Sequence, residues 1–411
     1  MPPSSERTPL LPNGADAHAD VENGAPPEPF AKRAVKFFKA EGEPSWAASY
    51  RHFIFGSYVN ILLVFVPLSF ISHHLHWDAA LRFGFSFMAI MPLAALLGDA
   101  TDQMSLKLGQ TMAGLLNASF GNAVEIIVGI AALLQNELRI VQTSMLGSIL
   151  SNLLLVLGCS FFAGGLKYSE SNFQVTAAQA SASLMTLACI TLVIPAAYHM
   201  SKPAEDNITN VLASERGLLI ISRGTALLLL LIYIAYLVFQ LKTHAYLYIA
   251  ELEEEEEASK MSTVAAATGL LLVTVITSFC ADYLVASIEE TAERYHIPRA
   301  FIGLILLPIV ANAAEHVTSI WMALKNKMEL TIGICVGSSI QIAAFVVPVL
   351  VIVGWISGHP LTLFFADFET IALFVSVVLV NLLIMDGKSN YMEGLMLIIL
   401  YLILALAFWV S

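Results

Sequence analysis

The chain has 411 residues, of which 57% are hydrophobic and only 13% are charged. Soluble domains carry roughly 45–50% apolar and about 25% charged residues, so this chain has too few charges to cover a surface in water. We therefore expect a multispan membrane protein that lies in a lipid bilayer. The net charge of −12 excludes nucleic acid as a partner, because nucleic-acid binding needs a basic surface.

Residues 1–50 are predicted to be a disordered cytosolic tail. They are rich in proline, alanine and acidic residues, and such a composition cannot bury a core. Within this tail, the run Glu6-Arg-Thr-Pro-Leu10-Leu11 resembles an acidic dileucine sorting signal of vacuolar and endolysosomal proteins. The tail is therefore expected to contribute to localisation rather than to the fold.

Eleven apolar stretches follow, each long enough to cross ~30 Å of hydrocarbon as a helix. A stretch of this kind satisfies its backbone hydrogen bonds within the membrane only as a helix. The predicted fold is therefore an all-α polytopic membrane protein with eleven transmembrane helices. The predicted spans are 53–72, 81–98, 112–134, 140–165, 173–199, 216–240, 263–288, 299–323, 329–357, 367–386 and 391–410.

The distribution of lysine and arginine predicts the orientation of these spans, because cytosolic loops carry an excess of basic residues. With the N-terminus in the cytosol, thirteen basic residues lie in cytosolic segments and six lie on the opposite side. The C-terminus is then expected in the lumen, together with the glycosylation sequon at Asn207.

A repeat without gaps relates the two halves of the chain at an offset of 190 residues. Agreement at several places without an insertion indicates a duplication. The repeat also predicts the site, because each half contributes the sequence Asn-Ala-x-Glu. The aligned segments are Gly121–Glu125 with Ala311–Glu315, and Gly147-Ser148 with Gly337-Ser338.

Five predicted spans separate equivalent positions, and because five is odd the two halves are expected to insert with opposite orientations. Inverted repeats of this kind are typical of transporters, whose substrate site lies near the membrane midplane between the repeats. The predicted organisation is a first transmembrane helix at 51–80, a first repeat of five helices at 81–245 and a second at 261–411. An acidic linker or helix at 246–260 joins the two repeats.

Glu125 and Glu315 lie deep within predicted spans, close to Gly121 and Pro308, where the helices are expected to be interrupted. A carboxylate at that depth is costly, so intramembrane acids usually have a function. Two carboxylates surrounded by serine, asparagine and backbone oxygens favour a hard cation such as Ca²⁺. Two like charges in a low dielectric cannot both stay ionised once the cation leaves, so protons replace it. The pair predicts exchange of one divalent cation for protons.

At these motifs the sequence resembles the cation/proton exchanger branch of the Ca²⁺/cation antiporter superfamily, and the fungal vacuolar Ca²⁺/H⁺ exchangers in particular. The resemblance covers residues 50–411 and depends on long motifs that are paired between the two halves. The motifs are Gly114–Glu125, Ser144–Asn152, Pro308–His316 and Gly337–Gln341.

The resemblance implies a Ca²⁺/H⁺ antiporter of the vacuolar membrane that moves cytosolic Ca²⁺ into an acidic organelle by alternating access. It implies Ca²⁺ and H⁺ as substrates, with Mn²⁺ as a further candidate, and it implies neither an enzyme activity nor a cofactor. A homo-oligomer is one option for the assembly. The implied cation- and proton-binding residues are Glu125, Glu315, Asn122, Asn312, Ser148, Ser151, Ser338 and Gln341.

Three further residues are candidates for a proton pathway. Asp102 stands where the family usually has glutamate, Glu290 lies near the end of a span, and His316 follows Glu315. For Glu290 a solvated helix-end charge is an equal alternative, and for His316 so is packing against a neighbouring helix. The resemblance also implies a regulatory acidic helix, for which a solvated linker is the simpler interpretation. Its residues are Glu251, Glu253, Glu254, Glu255, Glu256 and Glu257.

Other functions fit the sequence less well. A zinc-dependent intramembrane protease would need a HExxH motif, which this chain lacks. A cation channel could use acidic rings, but a single buried glutamate in each half of an inverted repeat favours a carrier. Na⁺/Ca²⁺ exchange, or transport of another divalent cation, is the alternative within the carrier class. Serine and glutamine rather than additional acids beside the glutamates favour coupling to protons.

Overall fold

A computed structural model of the protein describes residues 43–200, 208–245 and 259–410, and these residues are almost entirely helical. The dileucine-like run, the sequon at Asn207 and the acidic residues of Glu251–Glu257 lie outside the described residues. Membership of the helical membrane class is confirmed by the length and apolar character of the helices.

The described residues form seventeen α-helices, several of which continue into a turn of 3₁₀- or π-helix, and two strands of two residues each. The helices are α1 Trp46–Phe55, α2 Phe65–His74, α3 Ala79–Phe120, α4 Ala123–Leu134, α5 Leu138–Leu150, α6 Leu157–Lys167, α7 Val175–Met200, α8 Ile208–Val238, α9 Thr263–Ala286, α10 Ile288–Tyr295, α11 Arg299–Phe301, α12 Leu307–Ala311, α13 Ala313–Leu324, α14 Met328–Gln341, α15 Val347–Ser357, α16 Asp367–Leu383 and α17 Tyr391–Val410.

Seven helical segments among the described residues are long and apolar enough to cross a membrane, and the number rises to ten if each of three bent helix pairs is one span. The remaining predicted span, 367–386, forms the 17-residue helix α16, which is shorter than the others. A helical protein with seven to ten apolar spans is therefore observed, against a prediction of eleven.

The first predicted helix differs from the observed structure in two ways. Helix α1 begins at Trp46, inside the range predicted as a disordered tail, because the side chain of Ser45 accepts a hydrogen bond from the backbone of Ala48. The predicted single span also bends by 88° between α1 and the helical segment Tyr58–His74. The bend follows Gly56, which ends α1, and the extended residue Ser57, which caps the next turn.

Helix α3 is longer than predicted. It runs without interruption for 42 residues and joins the predicted span 81–98 to the beginning of the span 112–134. The intervening residues 99–111 lie outside the predicted spans and are more polar than those spans. They contain no proline, and most of them are good helix formers, so polarity alone does not end the helix.

The predicted interruptions beside the two glutamates are confirmed. The helix axis bends by 41° between Phe120 and Ala123, and by 58° between Ala311 and Ala313. The helices after the two bends, α4 and α13, each have 12 residues and begin at positions 190 residues apart. The starts and the lengths of these two helices thus match at the offset of the sequence repeat.

Short loops meet at each end of the helix bundle. At one end, strand β1 (Ser171-Asn172) pairs with β2 (Lys388-Ser389), and Lys388 contacts Glu170 at 2.8 Å. The opposite end carries ion pairs of Arg82 with Glu290 and of Arg294 with Asp78.

Candidate functional site

Glu125 and Glu315 each lie in the first turn of a helix that starts directly after a bend, α4 and α13 respectively. A helix N-terminus favours negative charge, because unpaired backbone N–H groups point toward it. Glu125 is only 4% exposed, and Glu315 is half-buried. The asparagines at the two bends do not cap their own helices, so their side chains are free to contact other groups.

Hydrogen bonds connect the two halves around these carboxylates. The hydroxyl of Ser338 lies 2.8 Å from Oε1 of Glu315 and 2.9 Å from Oδ1 of Asn122. The amide of Asn122 donates to Oε1 of Gln341. The amide of Asn312 donates to the backbone oxygen of Ser148 at 3.3 Å. Six predicted residues therefore take part in bonds between the two Asn-Ala-x-Glu segments and helices α5 and α14.

Several buried oxygen atoms in this region have no hydrogen-bond partner among the described residues. Buried polar atoms are nearly always paired in proteins, so a group of unpaired oxygens calls for a ligand or water. Oxygen is the atom that Ca²⁺ and other hard cations bind. The unpaired atoms are Oε2 of Glu315, Oδ1 of Asn312, Oγ of Ser151 and Oδ1 of Asn152.

A cavity of about 270 Å³ reaches the two glutamates from one side of the bundle. Its outer wall includes the exposed residues Asp102 and Asn117, and its inner wall includes Glu125, Glu315 and Ser338. A hydrated cation can therefore approach both carboxylates from the side of the molecule on which Asp102 lies.

The opposite side of Glu125 is closed. A void of only about 10 Å³ lies there, with apolar walls that include Met145 and Leu307. Closure depends on a tight crossing of α5 with the helix 302–311. A Cβ atom on Gly147 would lie 2.6 Å from Cγ of Pro308, and one on Gly303 would lie 2.7 Å from Cβ of Thr143. Only glycine at these two positions permits the crossing.

The three candidates for a proton pathway lie in different surroundings. Asp102 lines the cavity. His316 is half-buried on α13, one residue after Glu315. Glu290 is exposed and pairs with Arg82 at the other end of the bundle. Their roles in proton transfer stay predictions.

Sequence reasoning missed the hydrogen bond that Asn152 makes in this region. It is fully buried, and its amide donates to the hydroxyl of Ser338 at 3.0 Å. The position equivalent to it at an offset of 190 is the apolar Ile342. A comparison of the two halves therefore passes over it, although it ends the motif Ser144–Asn152.

The glutamates do not belong to a larger acidic cluster. Within residues 43–200, 208–245 and 259–410 there is no group of three or more histidine, cysteine, aspartate or glutamate side chains that could hold a metal ion. Neutral oxygens make up the rest of the polar shell. Such a set suits a cation that is bound and released again, since each additional carboxylate would tighten binding.

Comparison with known proteins shows the family to which the chain belongs. A profile of the sodium/calcium exchanger protein family matches residues 78–242 and 265–410. The vacuolar calcium ion transporter of Schizosaccharomyces pombe is 48% identical over 358 residues, which cover 87% of this chain and 85% of that protein. The Ca²⁺/H⁺ antiporter of Aphanothece halophytica is 40% identical over 85% of this chain and 95% of its own length.

A solved structure has the same fold. The Ca²⁺/H⁺ antiporter protein YfkE superposes with a TM-score of 0.72 at 35% identity, and the match covers 86% of this chain and 99% of that one. Each of the two family segments contains one glutamate together with the bent helix pair beside it. The chain therefore belongs to the sodium/calcium exchanger protein family, within the group that contains the vacuolar cation/proton exchangers.

Proposed function

We propose that this chain is a Ca²⁺/H⁺ antiporter of the vacuolar membrane, which moves cytosolic Ca²⁺ into the acidic lumen in exchange for protons. The observation that carries the proposal is the pair Glu125 and Glu315, one from each half, at the inner wall of one cavity. The similarity to the calcium ion transporter of S. pombe and to the Ca²⁺/H⁺ antiporters of A. halophytica and YfkE supports the same substrates.

The mechanism follows from competition at the pair of carboxylates. Ca²⁺ binds when both are ionised, together with neutral oxygens from Asn312 and the serines. When Ca²⁺ leaves, two negative charges in a site with little water are costly, and protons take its place. Because the empty charged site is unfavourable in the closed intermediate, the protein changes conformation with Ca²⁺ or with protons, and this couples the two fluxes.

The proposed topology has eleven transmembrane helices: the ten apolar spans together with α16. The first, bent span precedes two inverted repeats of five helices each. The N-terminus lies in the cytosol and the C-terminus in the lumen. One observation supports this orientation: the basic residues Lys167 and Lys388 lie at the same end of the bundle, where the loops next to them pair through β1 and β2.

With this orientation the cavity at Asp102 opens to the cytosol, and the crossing at Gly147 closes the lumenal side. The structure then corresponds to the conformation that receives Ca²⁺ from the cytosol. The proton pathway assigned to Asp102 is the cytosolic exit from this cavity. Na⁺/Ca²⁺ exchange remains the alternative, because the family as a whole is named for it.

The test is uptake of ⁴⁵Ca²⁺ into acid-loaded proteoliposomes, with and without a protonophore. We expect uptake that collapses with the pH gradient, and no uptake by Glu125→Gln or Glu315→Gln. Glu170→Gln is the matched control, because Glu170 is an exposed carboxylate in a loop and does not line the cavity. Uptake driven by internal Na⁺ and indifferent to pH would instead support the alternative. Transport that survives both substitutions in the pair would contradict the assigned site.

A further inference from the structure

Two consecutive residues of α9 attach this helix to its neighbours on the side of the molecule opposite the cavity. Oδ1 of Asp282 accepts a hydrogen bond at 2.6 Å from the amide of Gln135, the residue that ends α4. The ring of Tyr283 stacks on the ring of His73, in the last turn of α2, with 3.9 Å between the ring centroids and 17° between the planes. Helix α9 is thus attached to both α4 and α2.

The next residue of α9 belongs to the closed side of the candidate site. Leu284 is only 1% exposed, and it lines the small void beside Glu125. Because adjacent residues of a helix are held by the same ladder of backbone hydrogen bonds, a shift of Tyr283 moves Leu284 with it. We call Asp282, Tyr283 and Leu284 the lumenal gate, since the proposed orientation places this side of the site in the lumen.

His73 is a contact of the lumenal gate that can respond to pH. Histidine changes its charge between about pH 5 and 8, a range that covers both an acidic lumen and the cytosol. His73 is half-buried, and it is followed by exposed residues at the end of α2 and in the short loop before α3. Protons from the lumen can therefore reach its ring.

A positive charge on His73 is repelled by most of the charged groups around it. Asp282 attracts such a charge, but its carboxylate is already engaged by Gln135. Arg82 of α3 repels it, and Arg82 is itself paired with Glu290 of α10. The remaining electrostatic neighbours are histidines, which become positive in the same pH range as His73. They are His74 and His76.

The hydrogen bonds of His73 also favour a neutral ring in the stack. Its Nδ1 atom is buried and has no partner among the described residues. In a protonated histidine both ring nitrogens are donors, and a buried N–H group without an acceptor is unfavourable. The attraction between a cation and the face of Tyr283 offsets only part of this cost. A protonated His73 therefore leaves the stack for water.

We infer that His73 is a positioning residue for the lumenal gate: the neutral ring holds Tyr283 and keeps the gate closed, and a lumenal proton releases it. The inference rests on the proposed function and orientation, since it concerns the opening of the same site to the lumen. The site then opens when the lumen is acidic, so that Ca²⁺ is released where protons are available to replace it. A lumen that has lost its acidity does not return Ca²⁺ by this route.

The test is the dependence of ⁴⁵Ca²⁺ uptake on internal pH in vesicles whose lumenal side faces inward. Internal pH is varied between about 5 and 8. The pH difference across the membrane is held constant, so that the driving force does not change. Two variants act on the stack in opposite ways. His73→Phe keeps a ring on Tyr283 that cannot take up a proton, and His73→Ala removes the ring.

The two variants are expected to differ from the wild type at opposite ends of the pH range. The protonated fraction of a histidine changes about tenfold over two pH units around its midpoint. At acidic internal pH, His73→Phe should transport roughly tenfold more slowly than the wild type, and at neutral pH equally fast. His73→Ala should match the wild type at acidic pH and transport roughly tenfold faster at neutral pH.

His199→Phe is the matched control. The ring of His199, at the end of α7, also contacts an aromatic ring, that of Phe364, with 4.3 Å between the centroids. His199 lines neither the void beside Glu125 nor the cavity. We expect His199→Phe to retain the wild-type pH profile. Thermal unfolding of each variant shows that the compared proteins are folded, and His73→Phe tests the inference by itself if alanine prevents folding.

Two results would overturn the inference. A wild-type pH profile in His73→Phe would show that the charge of His73 does not act on the gate. A rate that falls by the same factor at every pH in both variants would show a purely structural role. The proposed function fails by a different result, wild-type uptake that does not depend on the pH gradient. The comparison at constant pH difference and the collapse of the gradient therefore fail separately.

Discussion

Gly147 and Gly337 occupy equivalent positions in the two halves of the chain, yet their surroundings are opposite. A Cβ atom on Gly147 would collide with the backbone of Leu304 and the ring of Pro308. A Cβ atom on Gly337 would meet no atom within 4 Å. The sequence Gly-Ser is the same in both halves, so the difference lies in how each helix is packed.

This difference separates the closed side of the site from the open one. Gly147 lies on α5, at the crossing that leaves only a small void beside Glu125. Gly337 lies on α14, next to residues that line the large cavity. If the two halves exchange conformations during transport, the tight crossing forms at Gly337 and opens at Gly147. The glycine at 337 is then required in the conformation that opens to the lumen.

The largest expected effects come from alanine at these two positions. Gly147→Ala places a methyl group against backbone atoms that cannot rotate away, and overpacking of this kind costs about 1–3 kcal/mol. We expect Gly147→Ala to lose folded protein, measured as thermal unfolding in detergent. Gly337→Ala should unfold at the wild-type temperature but transport ⁴⁵Ca²⁺ at a much lower rate, because the added methyl obstructs the second conformation.

The pair of variants is its own control, since both replace a glycine in a Gly-Ser sequence by the same residue. Wild-type transport by Gly337→Ala would show that the crossing at Gly147 has no counterpart in the other half. Equal loss of stability in both variants would show that the space beside Gly337 is closed in solution.

The features that the sequence predicts correctly depend on local chemistry or on the repeat. The bends beside Glu125 and Glu315 are predictable because a buried acid and an interrupted helix recur at the same offset. The helical membrane class is predictable from composition alone. In each case one physical requirement, burial in lipid or binding of a charge, acts on a short stretch of sequence.

Other features were missed because neither hydropathy nor the repeat reveals them. The continuation of α3 through residues 99–111 depends on helix propensity and surroundings rather than on hydropathy. The contact between Asn152 and Ser338 joins residues 186 positions apart, and its counterpart in the other half is apolar. The tight crossing at Gly303 is likewise evident only once Thr143 is seen to lie beside it.

The asparagines at the two bends, Asn122 and Asn312, also differ in their hydrogen bonds. Oδ1 of Asn122 lies 2.9 Å from the hydroxyl of Ser338, and its amide donates to Gln341, whereas Oδ1 of Asn312 has no partner among the described residues. We expect Asn122→Ala to lower the stability of the Ca²⁺-free protein by about 1–3 kcal/mol, because it leaves buried partners unsatisfied. Asn312→Ala should cost less in that state.

Thermal unfolding without and with Ca²⁺ distinguishes the two asparagines. Stabilisation by Ca²⁺ should be reduced in Asn312→Ala, because the unpaired oxygen is free to bind the cation. A larger loss of Ca²⁺-free stability in Asn312→Ala than in Asn122→Ala would contradict the comparison, and would mean that the unpaired oxygen is not reserved for a ligand.

The smallest expected effect concerns the exposed contact between Lys388 and Glu170, in loops that join different helices. Glu170 raises the pKa of Lys388 above its usual value of 10.5 by a hydrogen bond and by its charge. A raised pKa stabilises the folded state fully below the usual value, and the contribution is lost only as the pH rises through the higher one. Lys388 is therefore charged on both sides of a vacuolar membrane, and the contact does not respond to the proton gradient.

Because exposed ion pairs contribute little, Lys388→Ala should leave thermal stability and Ca²⁺ uptake unchanged between pH 6 and 8. A loss of uptake that depends on pH in this range would instead mean that the loops at β1 and β2 take part in proton transfer, although they contribute no residue to the lining of the cavity.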